Sequence, residues 1–466
     1  MKTAKKENLT KSILEEDPWK LVKVLSLPAI IGMSINGINS FFDGLFVGQM
    51  AGQDALAAVS LAFPLLFVTG GLSAMIGVGG SSVLSIAIGA EDEDRSEKVF
   101  GSVTILAAIV SAVLMFFGII FAPQLIGLLG GEGDILTMGV TYYRITLIGA
   151  FFRIYAVDLN MLIRAEGKIK EAMTHSISAA LLNIILNPLF IGYFKMGVAG
   201  AAWATVISMV VFTVIEVAYF YRGRTNYKVN LRKYSLEKKM ISPILKVGVS
   251  AMMLQIMFFL QQSVVFKLID IHGTDWDIAL MGASYRILLL MIFPGFGFAM
   301  AMQPVVGINF GAHQLERVKK TFKIFTLSST LLITFCWIFI MIFSETVLSW
   351  MLPEATFTKN DLLKFRMLMV TLPIFPLFFM GTTMFQAIGK AKEAGVLTVL
   401  RDLILYVPAV IILPTFYGVN GVYYGGIPAN IIMLFLVVWL LWRLFKKWER
   451  VEKNDTFSLP EKKIKF

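Results

Sequence analysis

Residues 167–172 read GKIKEA and residues 389–394 read GKAKEA, an offset of 222. Other pairs keep the same distance. IGA at 88–90 returns as FGA at 310–312, each ending a Gly-rich apolar run before a charged loop. Tyr143-Arg144 returns as Phe365-Arg366, and GVAGAAWA at 197–204 returns, one residue out of step, as GVNGVYYG at 418–425. Each pair stands at the same place in its half, so the chain is expected to contain two copies of one unit. Between these landmarks lie long apolar runs. A membrane-spanning helix needs about 20 mostly apolar residues, and twelve such stretches can be read: 25–47, 55–80, 99–122, 136–162, 173–193, 198–221, 245–270, 278–302, 322–344, 366–388, 394–416 and 419–443. They are long and continuously apolar without two-residue alternation, which points to helices and not barrel strands. Stretches 2 and 8 have soft ends, because the Gly-rich runs 77–90 and 296–312 follow them.

Composition agrees with this reading. Of 466 residues, 57% are hydrophobic and 16% charged, and mean hydropathy is +0.75. A soluble enzyme, a disordered chain and a nucleic-acid binder are all excluded by that much apolar surface. Cys336 is the single cysteine, so no intrachain disulfide or thiolate cluster is expected. The charged N-terminus lacks the apolar core of a cleavable signal peptide.

The net charge of +11 has a geometric distribution. Lys2, Lys5, Lys6, Lys11, Lys20 and Lys23 precede span 1; Arg222, Arg224, Lys228, Arg232, Lys233, Lys238 and Lys239 follow span 6; Arg443, Lys446, Lys447 and Arg450 close span 12. Twelve spans put all three groups on one side. The loops after spans 2, 4, 8 and 10 share that side and add Arg95, Lys98, Lys168, Lys170, Arg317, Lys319, Lys320, Lys390 and Lys392. The opposite loops hold little beyond Lys195 and Lys359. By the positive-inside rule both termini are expected in the cytoplasm of a cell whose plasma membrane the chain crosses many times. The basic residues then set topology and touch lipid, and no nucleic-acid partner is expected. The expected organisation is an N-terminal segment (1–24), a first lobe (25–221), a basic cytoplasmic linker (222–244), a second lobe (245–443) and a cytoplasmic tail (444–466). A parallel six-plus-six repeat suits a transporter whose lobes rock about a central cavity.

With these features the chain resembles the multidrug and toxic compound extrusion (MATE) transporters, of the prokaryotic type with a cation site in the N-terminal lobe. The likeness runs over about residues 20–445 and rests on FFDGLFVG in span 1, RAEG after span 4, LNIILNP in span 5, GVAGAAWAT opening span 6 and QPVVGINFGA ending span 8. The resemblance implies an all-α membrane protein of two pseudo-symmetric six-helix lobes. It implies export of organic, often cationic, compounds by antiport with Na⁺ or H⁺ through alternating access, with no enzymatic activity and no cofactor beyond the coupling ion. The expected partners are small organic substrates and the lipid bilayer, with the chain working as a monomer.

Intramembrane ionisable residues are the first functional candidates. Asp43 lies late in span 1, in the outer part of the bilayer. Asn183 and Asn187 stand i, i+4 on one face of span 5 at a similar depth, and Thr205 follows shortly after the start of span 6. At 1.5 Å per residue the four fall in one outer layer. One carboxylate, two amides and a hydroxyl offer oxygen ligands for Na⁺; alternatively, burial disfavours a lone carboxylate charge, so Asp43 could carry a proton. Helix–helix hydrogen bonding is the competing role for the two asparagines. By resemblance, Asp43, Asn183 and Thr205 match the family's N-lobe cation residues, while many relatives have Asp where this chain has Asn187. The weight therefore shifts to Asp43.

In the second half, position 265, the repeat partner of Asp43, is Val. Gln255 and Gln262, seven apart in span 7, together with Asn36 and Asn160, are candidates for a substrate cavity. Arg401-Asp402 reads as a structural or gating pair, and Glu166 as the anchor of a loop-fixing salt bridge. Asp158, Arg153, Glu216 and Arg286 are further intramembrane charges without an assigned role. There is no G-x-x-x-x-G-K-[ST] run for ATP. A lipid or lipid-linked oligosaccharide flippase of the same architecture is the alternative; it would show clustered arginines, with Arg144, Arg153 and Arg286 as candidates.

Overall fold

A computed structural model describes residues 2–227, 229, 236–352 and 355–455. Met1, residues 228 and 230–235 of the expected linker and residues 456–466 of the expected tail lie outside the described residues.

Among the described residues the chain is helical throughout, and twelve helices are long and apolar enough to cross a membrane. They run Pro18–Asn39, Ala58–Gly89, Glu93–Leu128, Gly133–Ala165, Ile169–Tyr193, Gly197–Tyr221, Lys238–His272, Trp276–Gly311, Leu315–Ile342, Lys359–Ala387, Ala391–Tyr417 and Val419–Arg450. These are spans 1 to 12 below. Each overlaps one expected stretch, and most overrun it. Span 3 begins six residues earlier than its apolar run because Asp92 caps it, accepting from the Arg95 backbone N–H at 2.9 Å, with Glu93 and Asp94 in the first turn. Those charges favour a helix N-terminus and continue the helix past the lipid.

The soft ends expected for spans 2 and 8 are absent. Helices Gln53–Gly89 and Asp275–Gly311 carry the Gly-rich runs to their last turn without a break. Away from water, helical hydrogen bonds are the only local way to satisfy the backbone, so glycine costs less there than in a soluble helix. Its use is close approach. A Cβ on Gly79 would stand 2.0 Å from the Ile244 carbonyl oxygen, and one on Gly248 would stand 1.7 Å from that of Met75. Further along, a Cβ on Gly89 would meet the Ile308 carbonyl at 1.9 Å and one on Gly311 that of Ile86 at 2.1 Å. The Ser82 hydroxyl donates to the Gln386 carbonyl at 2.5 Å in the same seam. The two halves thus touch backbone to backbone near the face that carries both termini.

The apolar core shows the same asymmetry. One large buried cluster draws on both halves, joining residues such as Ile76 and Leu84 to Ile244 and Val305. A second cluster, near the opposite face, contains only first-half residues, among them Val47, Ile126, Leu147 and Ile191. The halves share a core at the terminal face and part towards the other.

Prolines mark where spans depart from regular α-helix. Wide π-type turns occupy Val22–Ser26, Pro188–Tyr193 and Leu400–Tyr406, beside or including Pro28, Pro188 and Pro408. Span 10 breaks between helices Lys359–Met369 and Phe375–Ala387, with one tight turn Leu372–Ile374 around Pro373. A missing N–H and a ring clash at each proline account for the lost helical bonds.

The N-terminal helix Lys2–Glu15 lies across the terminal face. Ile13 is fully buried, and its carbonyl accepts from Asn309 Nδ2 at 3.3 Å and Arg317 Nη2 at 2.8 Å in the second half. On the first-half side, Thr10 Oγ1 accepts from Asn226 Nδ2 at 3.2 Å, and Ile13 Cδ1 fills the space over Gly167.

Candidate functional site

Four side chains expected in one outer layer form a hydrogen-bonded chain. Asn187 Nδ2 donates to Asp43 Oδ1 at 2.6 Å and reaches Asn183 Oδ1 at 3.2 Å. Asn183 Nδ2 donates to Thr205 Oγ1 at 3.3 Å, and that hydroxyl donates to the Ala201 carbonyl of its own helix at 3.1 Å. The local sequence explains the arrangement. Asn183 and Asn187 are one turn apart near the end of helix Ile169–Asn187, and Pro188 opens the wide turn that follows. Thr205 faces them from the third turn of helix Gly197–Tyr221. Both asparagines are buried, while Asp43 is half-buried. No lysine or arginine pairs with Asp43 within ion-pair distance among the described residues. Its partners are neutral amides. The Asn187 amide carries an oxygen on its other arm, so turning it exchanges a donor to the carboxylate for an oxygen ligand to a cation.

Two neighbours escaped the sequence reading. Asn39 Nδ2 lies 3.4 Å from the second carboxylate oxygen, Asp43 Oδ2, and the Asn39 side-chain oxygen is buried without a hydrogen-bond partner. Its i−4 spacing from Asp43 was the available signal. Tyr142 of span 4 is buried and within electrostatic reach of both Asp43 and Arg153; nothing in its sequence context distinguishes it from a packed aromatic.

The four residues considered for a substrate cavity are not joined. Asn160 is buried and donates to the Ala172 carbonyl and to Glu216 Oε1, each at 2.7 Å. Glu216 also meets His175 Nδ1 at 3.3 Å. Asn160 is thus held in a polar knot between spans 4, 5 and 6 near the terminal face. Gln255 lies in the seam between halves, its Nε2 3.7 Å from where a Gly70 Cβ would stand. Asn36 is exposed and Gln262 half-buried. The buried glutamine of span 7 is the adjacent Gln261, which hydrogen-bonds Tyr406.

The remaining charges sort by partner. Ser73 Oγ donates to Asp158 Oδ1 at 3.0 Å, and Asp158 Oδ2 is buried without a partner. Glu166 takes Lys168 Nζ at 2.5 Å and the Asn226 backbone N–H at 2.9 Å, tying the loop after span 4 to the chain after span 6. Arg401 Nη1 binds Asp402 Oδ1 at 2.7 Å and its Nε donates to Asn430 Oδ1 at 3.1 Å, while Phe375 and Phe378 each face the guanidinium at 4.7 Å. This buried network ties spans 10, 11 and 12 together. Val265, at the position that repeats Asp43, is fully buried. Arg144 Nε donates to the Ile119 carbonyl at 3.3 Å. Arg153 and Arg286 make no ion pair or hydrogen bond among the described residues.

Comparison with known proteins places this architecture. A family model described as MatE matches residues 28–189 and again residues 247–412. The multidrug export protein MepA of Staphylococcus aureus is 26% identical over 432 residues, which cover 92% of this chain and 95% of that protein. A MATE transporter crystallised with MaD3S superposes with a TM-score of 0.89 at 28% identity, covering 94% of this chain and 98% of the other. The outward-facing conformation of a multidrug resistance MATE family transporter gives a TM-score of 0.88 at 27% identity, with the same coverage. The twelve-span all-helical fold expected from the sequence is the fold of these structures.

Proposed function

Because the chain belongs to the MatE family, a family of transporters and not of enzymes, we propose that it is a secondary active exporter of organic compounds. Export runs by alternating access, in exchange for Na⁺ or H⁺ moving inward. The multidrug export named for the S. aureus relative supports this substrate range. The single observation that carries the coupling assignment is the chain Thr205–Asn183–Asn187–Asp43. It gathers a carboxylate and three neutral oxygen-bearing groups in one layer, with no lysine or arginine among the described residues within ion-pair distance of the acid. A carboxylate so placed is stabilised by taking up a cation or a proton. One charge moving through 100 mV supplies about 2.3 kcal/mol, enough to sustain a substrate gradient.

In this reading residues 25–221 and 245–443 are the two rocking lobes, joined by 222–244. The basic terminal face lies in the cytoplasm, and the parted face opens outward from the plasma membrane. A cation at Asp43 and a substrate then compete for the first lobe. The flippase alternative calls for clustered arginines, whereas Arg144, Arg153 and Arg286 are dispersed over two halves and Arg144 is spent on a backbone carbonyl.

Proteoliposomes loaded with a fluorescent organic cation test this under separate Na⁺ and pH gradients. The wild-type protein is expected to move the dye under one gradient or both. Asp43→Asn is expected to fold and insert normally yet lose gradient-driven transport. Full ion-driven transport by that variant sinks the coupling assignment.

A further inference from the structure

We propose that Lys323 of span 9 and Lys446 of span 12 form a binding site for the headgroup phosphate of an anionic phospholipid, in the leaflet at the terminal face. The site lies on the outer wall of the second half and does not depend on which compound is exported.

Two contacts set the register of these helices. Lys319 Nζ stands 3.8 Å from Glu449 Oε1, and the Phe322 and Phe445 rings pack edge to face with centroids 6.0 Å apart. Residue numbers rise on span 9 as they fall on span 12, so the two run antiparallel. At 1.5 Å per residue, Lys323 and Lys446 then lie within about 3 Å of one level. Helical phase puts them on one side. Each stands one residue after a phenylalanine of the contact, about 100° further round its helix. In an antiparallel pair those two rotations carry both side chains to the same side of the contact. Burial agrees. Lys323 and Lys446 are exposed, while Val318 and Phe325 of span 9 and Leu444 and Trp448 of span 12, turned the other way from the contact, are buried.

The chemistry around the pair fits one occupant. Lys323 makes no ion pair or hydrogen bond among the described residues, and Lys446 Nζ lies 4.6 Å from the centre of the Trp442 ring. The nearest acids along the two helices, Glu316 and Glu449, lie closer to the terminal face and both pair with Lys319. Asp17 is paired with Lys320 at 3.5 Å. Two ammonium groups at one level, with no carboxylate paired to either among the described residues, repel each other unless an anion joins them. A phosphodiester is such an anion, and each lysine brings it three donors. Trp442 suits that depth, because an indole favours the headgroup level. Deeper in the bilayer the same side is apolar. Leu327 and Leu331 continue the line of Lys323, and Trp439 and Phe435 continue that of Lys446, all of them exposed. Those side chains accommodate acyl chains, so the occupant is a lipid and not a free phosphate.

Native mass spectrometry of the full chain in detergent tests this, with phosphatidylglycerol and phosphatidylcholine of identical acyl chains titrated in turn. The wild type is expected to retain phosphatidylglycerol in preference. The double variant Lys323→Gln with Lys446→Gln should lower the ratio of apparent affinities, phosphatidylglycerol to phosphatidylcholine, roughly thirtyfold. Lys323→Arg with Lys446→Arg should keep the preference. The control, Lys170→Gln with Lys392→Gln, removes two exposed charges from the starts of spans 5 and 11 at the same face and should leave the ratio unchanged. Equal retention of the two lipids by the wild type overturns the inference, as does an unchanged ratio in the first variant. An equal fall in the control also overturns it, because the preference is then a property of diffuse surface charge. Displacement of bound phosphatidylglycerol by an equal concentration of water-soluble glycerol phosphate overturns the lipid as occupant.

Discussion

Asp43 shows what a single residue needs in order to be read without a structure. A carboxylate in an apolar helix is costly enough to need a purpose, and Asn183, Asn187 and Thr205 could be placed beside it by residue type and helical rise. Their contacts follow that arithmetic because straight helices conserve depth. Asn183 links Thr205 to Asn187, so Asn183→Ala should remove the donor to the Thr205 hydroxyl and the acceptor of one Asn187 contact. A loss of about 1–3 kcal/mol is expected, read as a lower thermal midpoint in detergent together with impaired ion-driven export. Asn160 illustrates the opposite case. Its depth and type resembled a cavity residue, but which way it turns depended on Glu216, 56 positions away. Asp158 was legible as a buried acid, yet its one partner, Ser73, was not. Since Asp158 Oδ1 needs only one donor and Oδ2 has none, Asp158→Asn should keep or raise the thermal midpoint. Ser73→Ala should lower it, at a stability cost of about 1–3 kcal/mol, because the carboxyl group is then left without any donor.

Helices were legible as elements, and their irregularities only in part. The prolines announced bends, but a proline does not say whether its helix widens, as at Leu400–Tyr406, or breaks, as at Leu372–Ile374. Packing makes that choice. The wide turn in span 11 turns Arg401 between Phe375 and Phe378 and sets it against Asp402 and Asn430. Arg401→Lys retains the charge but has neither the planar face nor the forked donors. It should cost roughly 3 kcal/mol or more through a broken buried network, checked by thermal unfolding, with Asn430→Ala as a smaller loss in the same direction. The Gly-rich ends of spans 2 and 8 were misleading for a related reason. Glycine weakens a helix in water; here it is what lets another backbone come within contact distance.

At the scale of the whole molecule, the closed terminal face and the parted opposite face define one state of a rocking transporter. Gly248 sits where any side chain would run into the Met75 carbonyl, and backbone cannot rotate aside as a side chain can. Gly248→Val should therefore prise the seam apart at an overpacking cost of about 1–3 kcal/mol. Thiol labelling at Ser82→Cys, fully buried in the seam, should rise in that background, whereas Gly282→Ala, where a Cβ would meet nothing within 4 Å, should leave it unchanged. The N-terminal helix spans the same seam from outside. Arg317→Ala removes its bonds to the Ile13 and Glu16 carbonyls and should raise Ser82→Cys labelling as well.

The sequence by itself determined the twelve helices, the internal repeat and the layer in which Asp43, Asn183, Asn187 and Thr205 meet. Hydropathy, charge bias and helical rise are properties of residues along one axis, and all three can be summed from a linear string. Only the tertiary structure decided which glycines close the seam, which glutamine of span 7 is buried and where Asn160 spends its hydrogen bonds. Those depend on the rotation of each helix about its axis and on its neighbour. Both are set by contacts between segments far apart in the chain, which a sequence read one helix at a time does not contain.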